Sequence, residues 1–383
     1  MVPLASHSAL SALSAHRFLM RAALAAAATF AWVFALQYLY GIYGNLSDAF
    51  VRVILLYELA QVITILATPY SSMQLINGVR GRMMAGVVLC FFALSTFGAS
   101  LAGIFEPMFG LVFFSIFIGL YRAFYWTPYI LERENIAASS AVSDEIFIAF
   151  MPAIAGLTLT NGFLGAAVLL FAGATILVAS LLPLFKIPES YERYAWKYRE
   201  TFGELFEAKY NPMVESAFLQ GLQGAALLLL WPLTVFMVVG LSYQLLGLVL
   251  TATLLFAVIL RSRGQRLLEG RDLLRSAVAA SSWIFRLAVA SPFSVAIVAA
   301  YASPTDASAD FATQEQAADN GTYLDEYTVL KEIAMSIGRV TMCIIAAFCI
   351  SVFSLPTGLA ITFILAGAAS VIGPFHARRS YIF

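Results

Sequence analysis

Long apolar segments recur along the whole chain, and this recurrence limits the possible folds more than any other feature. Each segment approaches the roughly 20 residues that an α-helix needs to cross a bilayer. The first six cover residues 18–43, 50–76, 83–105, 108–131, 143–161 and 164–185, and the next six cover 213–239, 242–260, 272–290, 291–310, 327–353 and 356–375. Only 11% of the 383 residues are charged, against about a quarter in soluble proteins. The sequence therefore predicts an all-α polytopic membrane protein with 12 transmembrane helices.

The placement of basic residues supports an even number of crossings. If successive segments cross in opposite directions, one set of connections contains the basic residues from Arg80 to Arg275, and Arg17 and Arg378-Arg379 near the termini join it. The opposite connections carry no lysine or arginine. By the positive-inside rule, both termini are predicted to lie in the cytoplasm, with the protein in the cell (inner) membrane.

A more polar stretch, residues 186–211, interrupts the apolar segments. Its aromatic residues recur at helical spacing with Arg, Lys and Glu between them, which predicts an amphipathic helix at the cytoplasmic surface. A solvated linker helix without a binding role fits the same pattern and is favoured over a membrane-bound one. Either helix divides the chain into an N-terminal six-helix bundle, 1–185, and a C-terminal six-helix bundle, 212–383.

A short pattern occurs once in each half. Tyr125-Trp126-Thr127-Pro128 is echoed by Tyr301-Ala302-Ser303-Pro304, and an acidic pair then opens the next apolar segment, Asp144-Glu145 in the first half and Asp325-Glu326 in the second. The same order in both halves indicates a duplicated architecture. Pro128 is expected to kink or end its helix. The acidic stretch 303–327 has no basic residue and is predicted to be a mobile gate or a disordered connection.

Two six-helix halves joined by an amphipathic linker resemble the major facilitator superfamily of secondary transporters. That family's loop between the second and third helices has a glycine-rich basic motif, of which Gly81-Arg82 remain here. Gly78 stands at the motif's aspartate and Met83 at its closing base, while Arg263-Gly264-Gln265-Arg266 is a remnant in the matching loop of the second half. The resemblance implies alternating access around a central cavity. The missing aspartate puts the family's cytoplasmic latch in doubt here.

Four charged residues fall within predicted membrane segments: Arg122, Arg339, Arg286 and Glu58. A charge at that depth costs a few kcal/mol, about 3 on insertion scales, unless it is paired or faces a wet cavity. Arg122 and Arg339 lie well away from the segment ends and are expected to face the cavity, with Arg286 as a further substrate-binding candidate. Arginine suits an anionic or carbonyl-bearing solute. An internal ion pair with a helix-borne acid is an equal alternative for each arginine.

Other candidates surround this pair. Gln220 and Gln223 can share one helix face and are predicted to bind substrate in preference to joining helices. Trp126 is a further substrate-binding candidate, although the interfacial aromatic belt explains such residues more often. Glu58 is the candidate for proton coupling, because desolvation favours its neutral form. Neutralisation of Arg52 is the alternative role for Glu58.

Three charged residues near predicted cytoplasmic ends are assigned to gating: Arg82, Asp144 and Glu332. A helix N-terminus alone would favour Asp144 where it stands. An interfacial salt-bridge cluster is the simpler explanation for Glu332.

The sequence contains no nucleotide-binding glycine loop, zinc-ligand spacing, nucleophile elbow or nucleic-acid patch, so no enzyme, cofactor, metal or nucleic-acid partner is predicted. The three histidines, His7, His16 and His376, are expected outside the spans. Three hypotheses remain: a secondary transporter of a small solute, a transporter-shaped scaffold that packs against a protein partner, and a lipid-handling protein. A transporter should have a hydrated cavity at Arg122 or Arg339, whereas a scaffold should have side chains there.

Overall fold

The computed structural model describes residues 7–136, 142–159, 163–268, 271–303, 305 and 324–379, and these are almost entirely helical, without strands. The α-helices are α1 His7–Tyr43, α2 Leu46–Met73, α3 Val79–Leu101, α4 Pro107–Ile136, α5 Val142–Thr158, α6 Phe163–Leu184, α7 Tyr198–Glu204, α8 Asn211–Ala225, α9 Trp231–Val238, α10 Tyr243–Leu268, α11 Asp272–Leu287, α12 Pro292–Ala302, α13 Leu324–Val352 and α14 Leu355–Arg379. One π-helical turn, Ala226–Leu230, joins α8 to α9.

Among the described residues, nine helices are long and apolar enough to cross a membrane. They are α1 to α4, α6, the continuous α8–α9, α10, α13 and α14. Helices α5, α11 and α12 coincide with the remaining predicted segments but have only 17, 16 and 11 residues. The prediction of an all-helical integral membrane protein is confirmed, while the count of twelve crossings stays a prediction.

Several helices extend beyond the predicted segments, because an apolar run marks the part of a helix that suits lipid and not the helix end. Helix α1 begins at His7, so the placement of His16 outside the spans is wrong. Helix α4 continues through Pro128 and the following charged residues to Ile136. Helix α10 continues to Leu268, so the stretch from Arg263 to Arg266 is helical where a loop was predicted.

The acidic pairs open helices as predicted: Asp144 and Glu145 lie in the first turn of α5, and Asp325 and Glu326 in the first turn of α13. Carboxylates are favoured there because they face the positive end of the helix dipole. Helix α12 ends at Ala302, and residues 306–310 of the segment predicted as 291–310 lie outside the described residues. Most of the acidic stretch 303–327, including 306–323, lies outside the described residues.

Most contacts of α1 to α4 and α6 lie within the set α1 to α6, and the set α8 to α14 meets it chiefly where α2 contacts α13 and where α5 packs on α10. Glycines permit the close crossings. A Cβ built on Gly247 of α10 would lie 3.1 Å from the Cα of Gly156 on α5, and one built on Gly338 of α13 would lie 3.0 Å from the Cα of Gly221 on α8. Small residues are the usual means of close helix approach in membranes, where lipid leaves little hydrophobic drive for association.

The predicted amphipathic helix over 186–211 is wrong. Only Tyr198–Glu204 is α-helical, and Ala208–Tyr210 forms a 3-10 turn. Residues 188–195 have no regular helix. Residues 192, 194 and 196 are half-buried, whereas 191, 193, 195 and 197 are exposed, which is the period of two that an extended chain shows. Pro188 also disfavours a helix at its predecessor. We call residues 186–197 the strap.

Candidate functional site

The best-defined polar cluster in the bundle joins α4 to α13. Glu332 of α13 accepts hydrogen bonds from two arginines through the same oxygen: Oε1 lies 3.1 Å from Nη2 of Arg122 and 3.2 Å from Nη1 of Arg339. Glu332 and Arg339 are seven residues apart on one helix, which places them on the same face two turns apart. Arg339 is 7% exposed and Glu332 8%. The cluster therefore lies within the protein and links the two helix sets.

Helix α2 supplies the third side of this cluster. Nη1 of Arg339 also lies 3.4 Å from Oε1 of Gln61 and 3.5 Å from Oγ of Ser336. Tyr57, one turn before Gln61, is 4% exposed and within electrostatic reach of both arginines. The close contact between α2 and α13 brings these side chains together, although they are distant in sequence.

Five buried polar atoms in this region have no hydrogen-bond partner among the described residues. They are Nε of Arg122, Nε of Arg339, Nε2 of Gln61 and the hydroxyls of Tyr57 and Tyr121. All five can donate a hydrogen bond. Two arginines also oppose one carboxylate, so the cluster carries a formal charge of about +1 with every group ionised. An anion rich in acceptor atoms is the ligand that would complement both the charge and the donors.

The two glutamines of α8 lie near this cluster without contacting it. Nε2 of Gln220 lies 3.5 Å from Oγ of Ser216, and Nε2 of Gln223 lies 3.4 Å from the Leu219 carbonyl oxygen, so both bond within their own helix. Gly224 is one turn after Gln220, and a Cβ built on it would lie 3.4 Å from Nε of Arg339. The absence of a side chain at Gly224 leaves room for the Arg339 guanidinium beside α8.

The other two predicted substrate contacts lie elsewhere. The guanidinium of Arg286 lies 4.2 Å from the ring centroid of Trp283 and 5.6 Å from that of Trp231, and it donates to Ser282. Trp126 is half-buried and packs edge-on against tyrosines of its own helix, with 5.5 Å between its ring centroid and that of Tyr125. The structure does not bring these two side chains into contact with Glu332.

Glu58 is half-buried on α2 and makes no hydrogen bond or ion pair with a described residue. The alternative in which it neutralises Arg52 is wrong. The Arg52 guanidinium lies 3.9 Å from the ring centroid of Tyr43 instead. An arginine above an aromatic face gains a cation–π attraction, so Arg52 has its partner at the end of α1.

For two of the three residues assigned to gating, the ion pair at the helix end is formed by a residue one or two positions away. Arg80, not Arg82, forms an ion pair at the start of α3, with Nε 3.0 Å from Oε2 of Glu189. Glu145, next to Asp144, pairs with Arg17 and with Arg21 of α1. Glu332 does lie in a salt-bridge cluster, but its partners are Arg122 and Arg339 and the cluster is buried where α4 meets α13.

A cleft lies between α1 and α5, and Arg17, Arg21, Tyr129, Asp144 and Glu145 are among its lining residues. Two arginines face two acids there, so the cleft has no excess of charge. It does not include Arg122 or Arg339, where the transporter hypothesis placed a hydrated cavity. Protein side chains cover most of the arginine pair in this conformation, since Arg339 is 7% exposed and the side chain of Arg122 is 15% exposed.

His16, which was not among the predicted functional residues, is fully buried on α1. Its Nδ1 lies 2.8 Å from the Ser180 carbonyl oxygen and its Nε2 lies 2.9 Å from the Tyr125 hydroxyl. Because a carbonyl only accepts, Nδ1 carries the proton and Nε2 accepts from Tyr125. The histidine thus joins α1, α4 and α6. The predicted apolar segment begins at residue 18, so His16 could be placed in this helix only if the helix began before that segment.

Replacing Tyr125 with phenylalanine should remove the only described donor to Nε2 of His16 and leave a buried acceptor unsatisfied. We expect a loss of about 1–3 kcal/mol in the free energy of unfolding. Thermal unfolding of the purified protein in detergent would measure it. Tyr40 at the exposed end of α1 provides a matched control, and equal small shifts for Tyr40→Phe and Tyr125→Phe would contradict the expectation.

No family model matches this sequence, and no curated protein matches it. A solved structure does resemble its fold: the crystal structure of a POT family transporter in complex with 5-aminolevulinic acid, with a TM-score of 0.63 and 11% sequence identity. The alignment covers 96% of this chain and 94% of that one. The chain therefore shares the fold of that protein along nearly its whole length.

Proposed function

We propose that this protein is a secondary transporter that moves a small anionic solute across the membrane by alternating access, with Arg122 and Arg339 as the substrate-binding residues. The observation that carries the proposal is the buried cluster with two arginines, one carboxylate and five unpaired donors. Buried donors are normally satisfied in proteins, so a site that leaves several unpaired is suited to a ligand that accepts from them. In this proposal the divisions 1–185 and 212–383 are the halves that move, with both termini in the cytoplasm.

A scaffold is the second candidate, because side chains cover the arginines where a transporter would have its cavity. A scaffold that never opens would gain stability by replacing a buried ion pair with apolar side chains. The five unpaired donors would not stabilise such a scaffold. We therefore favour a transporter in a closed conformation over a permanently filled bundle.

Anion binding is the first test. The purified protein would be unfolded thermally in the presence of acetate, succinate, inorganic phosphate, 5-aminolevulinic acid, glucose or an alkylamine, and hits would then be assayed for uptake into proteoliposomes. We expect at least one anion to raise the unfolding temperature of the parent but not of Arg122→Gln or Arg339→Gln, since bound ligand stabilises only the folded state. Arg271→Gln, at an exposed position, is the control. Stabilisation by no anion, or equally in all variants, would contradict the proposal.

Proton coupling is proposed for Glu58, which lies beside Tyr57 on the helix that borders the cluster. Its half-buried carboxylate has no described ion-pair partner, so it is free to change its charge as the halves move. We expect Glu58→Gln to abolish stimulation of uptake by a pH gradient while exchange of solute without a gradient continues. Loss of both activities, or of neither, would count against this assignment.

A further inference from the structure

The strap is fastened by backbone and side-chain contacts to residues 74–82, which join α2 to α3 and include the first turn of α3. We call these residues the α2–α3 turn. The amide of Val79 donates to the Ser190 carbonyl at 2.9 Å, and the amide of Glu192 donates to the Leu75 carbonyl at 3.4 Å. Nη1 of Arg80 donates to the Ile187 carbonyl at 2.7 Å. These hydrogen bonds hold the strap in its extended form.

Glu189 fixes the strap through its side chain. Its Oε2 lies 3.0 Å from Nε of Arg80, and its Oε1 accepts from the amide of Gly81 at 3.3 Å. A Cβ on Gly78 would collide with this carboxylate, and Gly78 also has a φ of +121°. A side chain at position 78 would thus be strained and would displace Glu189.

The strap also contacts α4 and α13. Ser190 donates to the Glu132 carboxylate near the end of α4. The amide of Ala195 donates to Oε1 of Glu326 at 3.1 Å, and Tyr194 packs with Leu330 in one apolar cluster on α13. The pKa of Glu192 in the strap is raised, mainly by burial and to a lesser extent by the nearby Asp325 carboxylate. Helices α4 and α13 belong to different sets, so one extended segment joins both sets at one end.

We propose that the strap is the closure of this end, and that opening occurs where it meets α13. The fastenings are unequal: the α2–α3 turn provides two backbone pairs, an ion pair and two further hydrogen bonds, whereas α13 provides one hydrogen bond and apolar packing. The weaker side parts first. This inference rests on alternating access for its purpose, but its test needs no solute and is independent of the anion-binding test.

The reporter for opening is a cysteine at Leu131. That residue is 5% exposed and packs with Leu75 and Val79 on one side and Leu324 of α13 on the other. Maleimide labelling of Leu131→Cys in liposomes would be compared with the parent, whose cysteines Cys90, Cys343 and Cys349 are all buried. We expect Glu326→Ala to increase the labelling rate at position 131 about tenfold, the population shift that loss of one charge-assisted hydrogen bond produces.

Glu189→Ala should increase labelling less than the Glu326 variant does, because hydrogen bonds from Val79, Glu192 and Arg80 still hold the strap on the α2–α3 turn after the ion pair is lost. The matched control is Glu200→Gln, since the Lys197–Glu200 ion pair is exposed and contacts neither turn nor helix α13. The double variant Arg80→Glu/Glu189→Arg restores an ion pair and should return the rate toward that of the parent. Equal labelling in the Glu326, Glu189 and Glu200 variants, each verified as folded by thermal unfolding, would overturn the proposal.

Hydrogen exchange distinguishes the two fastenings. In the parent, amides of residues 194–197 should exchange faster than those of 75–82 and 190–192, because opening parts the strap from α13 and leaves it on the α2–α3 turn. Faster exchange at 75–82 than at 194–197 would overturn the assignment of the parting side.

Discussion

Replacing Glu332 with glutamine should lower the free energy of unfolding by about 3–5 kcal/mol, the cost of leaving a buried charge without its partner. Glu332 is the described acid that contacts both Arg122 and Arg339. Without it, two guanidinium groups face one another across the α4–α13 contact with no carboxylate between them. Thermal unfolding in detergent would measure the loss.

Removal of one arginine at the same time should recover part of that loss. Arg122→Gln/Glu332→Gln leaves a single positive charge, which equals the excess in the parent protein. Arg122→Gln alone should cost less than Glu332→Gln, since Arg339 still neutralises the carboxylate at 3.2 Å. Residues in one network are coupled in this way. A double variant less stable than Glu332→Gln would contradict the view that charge balance holds the cluster.

Replacing Gly338 with valine should separate α13 from α8 and displace the whole cluster. Any Cβ at this position overlaps the Phe218 carbonyl oxygen and approaches the Cα of Gly221 to 3.0 Å. Backbone on both sides leaves no flexible side chain to yield, so the cost should reach or exceed the ~1–3 kcal/mol typical of overpacking. We also expect loss of anion-induced stabilisation, because Arg339 follows Gly338 directly.

The control for this substitution is Gly41 of α1, where an added Cβ meets no atom within 4 Å. Gly41→Ala should be neutral or stabilising by up to about 1 kcal/mol, the difference in helix propensity. A Gly338 variant as stable as the parent would show that the α8–α13 crossing tolerates expansion.

The depth of Arg122 and Arg339 could be predicted from the apolar runs that contain them, but their shared partner could not. Glu332 is 210 residues from Arg122. Hydrophobic periodicity indicates which residues are helical and gives no information on which helices touch. The assignment of Glu332 to a helix end therefore considered only its distance from the start of its own segment.

The strap was misread for a related reason. Aromatic residues at 194 and 198 fit a helical spacing, while 194 and 196 fit an extended one equally well. Backbone pairing with the α2–α3 turn decides between them, and that turn is more than 100 residues earlier in the chain. His16 was placed outside the spans because the apolar segment begins after it, whereas helix α1 begins before it, at His7.

The extended form of the strap has a mechanical consequence. A helical connection rises about 1.5 Å per residue and can unwind to more than twice its length. A chain already near its limit of about 3.3–3.6 Å per residue holds no such reserve. Residues 188–195 have no regular helix, so this part of the strap has no helical turns that could unwind when the bundle moves. Removal of even one residue from this part should therefore restrict how far α13 can move away from the α2–α3 turn.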